Sequence, residues 1–242
     1  MSNTRSRLSF ARFAVLAAMA VPGPAWGAGI VLGAPPAPGS YRLPCIESAG
    51  DGSVVTSHGA ATTLHRLYAG RIVVLSLIYT HCADAQGCPW ASFTLAQTAR
   101  RIKGDPRLAT RVRLVSLSFD PARDTPEAMA RYGRSFSHAA DWAFITTRSP
   151  EALAPILADY DQRLQSDPGP AGGWSTSCRS FSSDEARLVR NVYSSSFLDP
   201  VLLGNDIATL GLDRDQDAAC ARRAGRSRRR RAHRRPERGV VT

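Results

Sequence analysis

The 242-residue chain lacks any apolar run long enough to cross a membrane. Its longest run, Phe13 to Val21, has nine residues, whereas a spanning helix needs about 20. A polytopic membrane protein is therefore excluded. The composition, with five cysteines, also excludes collagen, coiled coils and disulfide scaffolds. A hydrophobic content of 43% is enough to bury the core of one or two globular domains.

Acidic residues are scarce at the two ends of the chain, and this scarcity produces the formal net charge of +11. Residues 222–238 contain ten arginines and one acid, and residues 1–27 contain three arginines and no acid. Without these two segments the body carries a net charge of about −1. Because a nucleic-acid-binding domain concentrates basic residues on a structured surface, we predict no nucleic-acid partner.

Residues 1–27 are predicted to be a signal peptide. Arginines precede the apolar run, the Pro22-Gly23-Pro24 segment interrupts it, and small residues flank Trp26. Cleavage is expected before Ala28, with an uncleaved N-terminal anchor as the alternative. Either outcome predicts an exported protein, which is periplasmic or tethered to the membrane facing the periplasm. Disulfides persist in such a compartment.

Three segments are predicted to follow the signal peptide. Residues 28–53, rich in proline and glycine, are expected to form an extended tether. Residues 54–212 are expected to form one folded domain, and residues 213–242 a basic, disordered tail. Contact of the tail or of an uncleaved N-terminus with a membrane surface stays open.

The folded segment alternates between strand and helix patterns. Continuous apolar runs at Ile72–Tyr79 and Leu114–Phe119 predict two buried strands, and Pro89–Lys103 predicts a helix between them. Further helices are predicted to begin at a capping residue followed by proline, and two further short strands are predicted between them. These helices start at Thr125-Pro126, Ser149-Pro150 and Asp199-Pro200, and the strands are Trp142–Ile145 and Leu188–Tyr193. This alternation predicts an α/β domain with a central, mostly parallel sheet flanked by helices.

Cys82 and Cys88 lie on the connection between the first strong strand and the first strong helix. A helix N-terminus favours the thiolate, so we expect the pKa of these thiols to fall. A thiolate is both a soft metal ligand and the nucleophile of disulfide exchange. The spacing leaves open a metal site, a redox-active disulfide and a structural disulfide.

Four segments carry a resemblance to a known family. They are Gly70–Cys82 with Cys88-Pro89, Leu114–Pro121, Asp124–Glu127 and Arg190–Ser194. In this order they resemble the Sco/SenC family, over roughly residues 55–211. The resemblance implies a thioredoxin-like fold in an exported and often membrane-tethered protein.

The resemblance also implies a site and a function. Family members bind copper through two cysteines and one histidine, and they deliver it to the copper site of cytochrome c oxidase or reduce the cysteines of that site. Cys82 and Cys88 match the two cysteine ligands, which are also the redox pair, while Asp120 and Asp124 match acidic positions with a supporting role. The implied cofactor is copper. The implied partner is the copper-site subunit of cytochrome c oxidase, or another exported copper or thiol acceptor.

The chain departs from the family pattern in two places. Five residues separate its cysteines, where the family usually has three, and the third ligand, a histidine expected before Arg190, is absent. Residues 174–185 are polar instead, and only Phe181 resembles strand core. Three explanations remain: the histidine is lost, Cys178 replaces it, or residues 176–186 reflect an error in the reading frame. Residues 213–242 suggest an error of the same kind.

None of the five histidines is a convincing replacement; they are His58, His65, His81, His138 and His233. Cys45 and Cys220 lie outside the motifs, and an odd number of cysteines leaves one thiol unpaired. The first hypothesis is a non-enzymatic copper chaperone that retains Cu(II) weakly. The alternatives are a thiol–disulfide oxidoreductase that uses the same cysteines without metal, and a degenerate copy that lacks the histidine ligand.

Overall fold

The computed structural model describes residues 35–136, 140–167, 173–174, 178–212 and 220. The predicted signal peptide and most of the predicted tail lie outside these residues. The first eight strands are β1 (Glu47–Ser48), β2 (Ser53–Thr56), β3 (Ala61–Thr63), β4 (Ile72–Ile78), β5 (Val112–Ser118), β6 (Trp142–Thr146), β7 (Ser166–Asp167) and β8 (Gly173–Trp174). The last two are β9 (Arg179–Ser183) and β10 (Leu188–Ser194).

Six α-helices accompany these strands in the described part of the chain. They are α1 (Leu64–Tyr68), α2 (Cys88–Gly104), α3 (Pro106–Ala109), α4 (Pro126–Gly133), α5 (Pro150–Asp159) and α6 (Pro200–Leu212). The predicted caps of α4 and α5 are confirmed, since the side chains of Thr125 and Ser149 accept hydrogen bonds from Ala128 and Ala152. No helix among the described residues has the length and hydropathy needed to span a bilayer.

Eight strands form the central sheet in the order β1-β10-β9-β4-β5-β6-β2-β3, and β7 pairs with β8 separately. The predicted α/β class is confirmed, but the prediction of a mostly parallel sheet is wrong. Two pairings of the sheet, β4 with β5 and β5 with β6, are parallel, and the other five are antiparallel. The parallel pairs are joined through helical crossovers, whereas short turns join β2 to β3 and β9 to β10, which forces antiparallel pairing.

The core lies on both faces of the sheet. Every residue of β4 is buried, as the continuous apolar run predicted. On one face, α2 and α6 pack against Val74 and Leu114 through Leu95 and Ile207. On the other face, α1, α4 and α5 contribute Tyr68, Met129 and Ile156 to a second cluster that includes Leu75 and Phe181.

The folded unit begins within the range predicted as tether. Strand β1 pairs with β10, with Glu47 opposite Val189, and Leu43 is buried. Cys45 forms a disulfide with Cys220, a residue in the range predicted as tail, at a Cα separation of 5.6 Å. Hydrogen bonds and a covalent bond thus fix residues that precede the predicted start of the folded domain at residue 54.

Residues 179–183 of the polar segment before β10 form strand β9, and buried polar groups of this segment find hydrogen-bond or ion-pair partners. Ser180 Oγ donates to Ser76 Oγ at 3.1 Å, and Ser182 Oγ lies 3.1 Å from the hydroxyl of Tyr193. Asp184, at the end of β9, forms a buried ion pair with Arg190 at 2.8 Å. Because these polar groups find partners, the segment is compatible with a buried strand and a frame error is not needed to explain it.

Candidate metal and thiol site

The connection between β4 and α2 holds Cys82 in a tight turn and Cys88 at the start of the helix. Asp84 closes this turn, since its Oδ1 accepts from Gln86 N–H and its carbonyl accepts from Gly87 N–H, both at 2.9 Å. The sulfur of Cys82 donates to the same carbonyl at 3.7 Å. Cys88 is buried and is the first residue of α2, and its sulfur accepts from Tyr79 N–H at 3.4 Å.

Gly87 makes the close approach of this turn to the cysteine sulfur feasible. A Cβ atom at this position would lie 3.1 Å from Cys82 Sγ and 3.2 Å from the carbonyl oxygen of Asp84. Few Cβ contacts are this short, so a larger residue would displace the sulfur. Packing against Cys82 and Asp84 therefore favours glycine at this position.

Cys178 reaches the same place from another part of the chain. Strand β9 runs antiparallel to β4, with Ser180 opposite Ser76. Antiparallel strands run in opposite directions, so a residue earlier in β9 pairs with a residue later in β4. The residue two positions before Ser180 therefore lies beside the carboxyl end of β4. Cys178 is that residue, and its carbonyl is fixed by the N–H of Ser195 at 2.9 Å.

The three sulfurs of Cys82, Cys88 and Cys178 form one cluster, in which all lie within 4.8 Å of one another. The sulfurs of Cys88 and Cys178 are 2.6 Å apart. Both of these residues are buried, with exposures of 0% and 2%, whereas Cys82 is partly exposed. The cluster therefore has two interior members and one member that a reagent can reach.

The thiols at the helix N-terminus have raised pKa values, contrary to the sequence-based expectation. Hydrogen bonding to Cys88, and then burial, raises the pKa of Cys82 above its ordinary value. Hydrogen bonding to Cys178 is the largest cause that raises the pKa of Cys88. Neighbouring sulfurs and burial outweigh the helix dipole here, because a buried group of thiols resists accumulating negative charge.

Asp124 positions the loop rather than contacting the sulfurs. Its carboxylate is completely buried, and it accepts from Thr80 N–H at 3.0 Å and from the hydroxyls of Thr80 and Ser118 at 2.5 Å each. His81, next to Cys82, lies 3.6 Å from the same carboxylate and is more than half exposed. Asp120 is buried and its N–H donates to Ser118 Oγ at 3.0 Å.

Aromatic rings surround the sulfur cluster. The rings of Tyr79 and Phe119 have centroids 5.1 Å apart, and Trp174 contacts Phe119 edge-on at 6.3 Å. Burial, followed by a hydrogen bond with Cys82, raises the pKa of Tyr79 to about 12, so its hydroxyl stays protonated.

The remaining sequence candidates lie elsewhere. His65 is held by Ala49 and Asp51, at 3.0 Å and 3.3 Å, and His58 is exposed. His138 and His233 lie outside the described residues. Among the residues that the structure describes, the one group of at least three potential metal ligands consists of the three cysteines, without a histidine.

The cluster has the donor chemistry of a site for a soft cation. Thiolates select Cu(I) over harder ions. All three sulfurs lie within 4.8 Å of one another, which is close to twice a metal–thiolate bond of about 2.3 Å, so one ion could contact all three after small side-chain rotations. The same proximity allows thiol–disulfide exchange among the sulfurs. The arrangement therefore fits copper and also fits redox chemistry.

A central sheet flanked by helices, with cysteines where a strand meets a helix, defines a thioredoxin-like domain with a thiol site. A family model described as SCO1/SenC matches residues 49–180, which is more than half of the chain. The chain belongs to the SCO1/SenC family, and the resemblance seen in the sequence is confirmed.

Individual relatives are similar over limited parts. The mitochondrial protein SCO2 homolog of Bos taurus is 38% identical over 93 residues, which cover 38% of this chain and 33% of the relative. The chain thus spans about a third of that protein's length. The copper-bound ScoI of Arabidopsis thaliana has a TM-score of 0.59 at 22% identity, covering 67% of this chain and 96% of that chain.

A further solved relative, BsSco, is described as a Sco cytochrome c oxidase assembly protein with a disulfide switch. It has a TM-score of 0.57 at 15% identity, covering 71% of this chain and 98% of that chain. At these identities the solved structures establish the fold.

The third sulfur could have been found from the sequence by one further step. If residues 178–183 are treated as a strand antiparallel to β4, Cys178 falls beside the end of β4. The polar composition of that strand concealed this pairing. Cys178, one of the three explanations for the missing histidine, lies in the cluster with Cys82 and Cys88.

Proposed function

We propose that this chain is an exported copper chaperone that assists assembly of the copper site of cytochrome c oxidase or of a similar acceptor. Membership of the SCO1/SenC family supports the class of function. The observation that carries the proposal is the cluster of three sulfurs, one of them partly exposed. Copper is the cargo, and it leaves with the acceptor.

Cys82, Cys88 and Cys178 would hold the ion. Sulfur donors favour Cu(I), and the set includes no imidazole to help retain Cu(II). Because ligand thiols must lose their protons, the raised pKa values of Cys82 and Cys88 mean that copper displaces protons when it binds. The exposed Cys82 is the ligand that an acceptor thiol can replace first.

Export is part of the proposal and has two supports. The first 27 residues have the pattern of a secretory signal. The disulfide between Cys45 and Cys220 is a type of bond that persists in oxidising compartments and is rare in the cytosol. Fractionation of cells that express a tagged chain, with protease accessibility of the outer face, tests this part.

Anaerobic titration of the reduced protein with Cu(I) tests the site. We expect one Cu(I) per chain and an X-ray absorption spectrum fitted by three sulfur neighbours. Cys82→Ser, Cys88→Ser and Cys178→Ser should each weaken binding at least tenfold. His81→Asn is the matched control and should leave affinity unchanged, because the ring of His81 points to Asp124.

Three results would contradict the proposal. A nitrogen neighbour at full occupancy would identify a histidine ligand outside the cluster. Unchanged affinity in the Cys178→Ser variant would reduce the site to the two cysteines that the family resemblance implies. Absence of Cu(I) binding by the reduced protein would remove the copper function altogether.

The second candidate function is a thiol–disulfide oxidoreductase that acts on acceptor cysteines. The contact of 2.6 Å between the sulfurs of Cys88 and Cys178 favours it. Disulfide exchange needs no third ligand and no metal. The two functions share the same residues, and an acceptor must have reduced cysteines before it can bind copper.

A further inference from the structure

The oxidised form of a site with three thiols depends on which two sulfurs become bonded. The pair named by the sequence motif is Cys82 with Cys88. The structure, however, brings the sulfurs of Cys88 and Cys178 to 2.6 Å, while a disulfide bond measures about 2.05 Å. Small side-chain rotations are enough to form that bond between two buried residues.

We propose that the disulfide of the oxidised protein joins Cys88 to Cys178, and that Cys82 remains a free, partly exposed thiol in that state. This inference deepens the oxidoreductase candidate of the proposed function and does not require copper. In this scheme an external disulfide reacts first with Cys82, Cys88 passes the disulfide inward, and Cys178 is the buried partner in the final bond. The disulfide then lies between two buried residues, where external thiols do not reach it.

The positions of the sulfurs support this order. Cys82 is the partly exposed member, and its sulfur also donates to the carbonyl of Asp84 at 3.7 Å, which ties it to the loop. The sulfur of Cys88 contacts that of Cys178 at 2.6 Å and lies within 4.8 Å of the sulfur of Cys82. The carbonyl of Cys178 accepts a hydrogen bond from the N–H of Ser195, the residue after β10. A rigid interior partner favours one disulfide geometry.

The relay is balanced in atoms and electrons. The thiolate of Cys82 attacks an acceptor disulfide, one acceptor sulfur leaves as a thiol, and a mixed disulfide forms. Cys88 then attacks the sulfur of Cys82, which releases the second acceptor thiol and forms a Cys82–Cys88 bond. Cys178 attacks Cys88, and Cys82 returns to the thiol. The acceptor disulfide gains two electrons and two protons, which Cys88 and Cys178 supply.

Disulfide mapping tests the pairing directly. The full chain is reduced at the three thiols, equilibrated with glutathione disulfide, alkylated without further reduction, digested and examined by mass spectrometry. We expect Cys45–Cys220 and Cys88–Cys178 bonds and one alkylated cysteine, Cys82. A Cys82–Cys88 bond with an alkylated Cys178, or three alkylated cysteines, overturns the inference.

Two variants separate the roles of the cysteines. Oxidised Cys82→Ser should keep the Cys88–Cys178 bond and show no free thiol, whereas oxidised Cys178→Ser should form Cys82–Cys88 and also show none. An unpaired Cys88 in the Cys82→Ser variant contradicts the proposed pairing. The wild-type map decides the question even when a variant does not fold.

A chromogenic aromatic disulfide, used at less than one equivalent, tests the relay. The reduced wild-type chain should release two aromatic thiols per reagent molecule, because Cys88 resolves the mixed disulfide on Cys82. Cys88→Ser should release one and trap the adduct on Cys82. Release of two by Cys88→Ser would refute its relay role. Copper binding by the reduced protein is unaffected by any of these outcomes, so failure of this inference is distinguishable from failure of the proposed function.

Discussion

The buried ion pair between Asp184 and Arg190 gives the sharpest stability prediction. Asp184 Oδ2 lies 2.8 Å from the guanidinium, and both side chains are only 1% exposed. Asp184 Oδ1 also accepts from Leu188 N–H at 2.9 Å, and Arg190 donates to the carbonyls of Leu43 and Pro44 at 2.9 Å and 3.0 Å. Asp184→Asn removes the negative charge but keeps the shape of the side chain.

The cost follows from the burial of the remaining charge. Removing one member of a buried pair typically costs about 3–5 kcal/mol, because the other charge is left without compensation. For a protein of 150–250 residues, 1 kcal/mol corresponds to a change in Tm of about 2–4 °C, so we expect Tm to fall by about 6–20 °C. The exposed ion pair of Asp161 with Arg163, at 4.0 Å, should contribute less than about 1 kcal/mol.

The assay is thermal and urea unfolding of the full chain with the Cys45–Cys220 disulfide intact. Asp161→Asn is the matched control: it makes the same chemical change at a site with 80% exposure. Its φ of 46° also suits asparagine. A fall in Tm of less than about 2 °C for Asp184→Asn would show that the pair is not buried and that the polar strand is not part of the folded sheet.

Four further predictions concern the site and the disulfide. Gly87→Ala should weaken Cu(I) binding several-fold by displacing Cys82 Sγ, whereas Gly104→Ala, whose Cβ meets nothing within 4 Å, should not; equal affinities in a competition titration would contradict this. Because the pKa of Cys82 is raised, its rate of alkylation by iodoacetamide should rise about tenfold per pH unit beyond pH 9, and a plateau at lower pH would contradict the hydrogen bond to Cys88. Asp124→Asn should lower the free energy of unfolding by about 1–3 kcal/mol in urea unfolding, because the new amide N–H groups would face the donors Thr80 N–H and Ser118 Oγ–H. An unchanged unfolding midpoint would argue against the role of Asp124 in the loop. Reduction of the Cys45–Cys220 disulfide, which closes a loop of 175 residues, should lower the free energy of unfolding by about 2–5 kcal/mol. The measurement compares unfolding midpoints with and without reductant, and coincident midpoints would refute a stabilising role of the bond.

Most of the architecture could be predicted because hydrophobic runs and helix caps act locally. The strand predicted from Ile72 and the helices predicted from Ser149 and Asp199 occur within a few residues of the expected limits. The direction of the sheet could not be predicted in this way. Direction depends on which strands become neighbours, and β9 lies beside β4 although more than 90 residues separate them.

The site was only half predictable for the same reason. Cys82 and Cys88 share a short connection, so the motif identifies them. Cys178 joins them through an antiparallel register that involves a strand with three buried serines. Serine in a buried strand gives no apolar signal, and its partners, such as Ser76 and Tyr193, become visible only when the strands are paired. The pKa values of Cys82 and Cys88 are raised rather than lowered because neighbouring sulfurs and burial, which the position at the helix N-terminus does not show, outweigh the helix dipole.

The residues that flank the two ends of strand β9 have separate roles. Cys178, just before its first residue, contributes the third sulfur, and Asp184, just after its last, anchors the turn into β10. At about 3.3 Å per residue, these two groups are about 20 Å apart. Substitutions at such distances act independently when they share no contacts. Asp184→Asn should therefore lower stability and leave the Cu(I) stoichiometry at one, whereas Cys178→Ser should weaken copper binding with little change in Tm. Loss of both properties in either variant would show instead that the strand and the site form one cooperative unit.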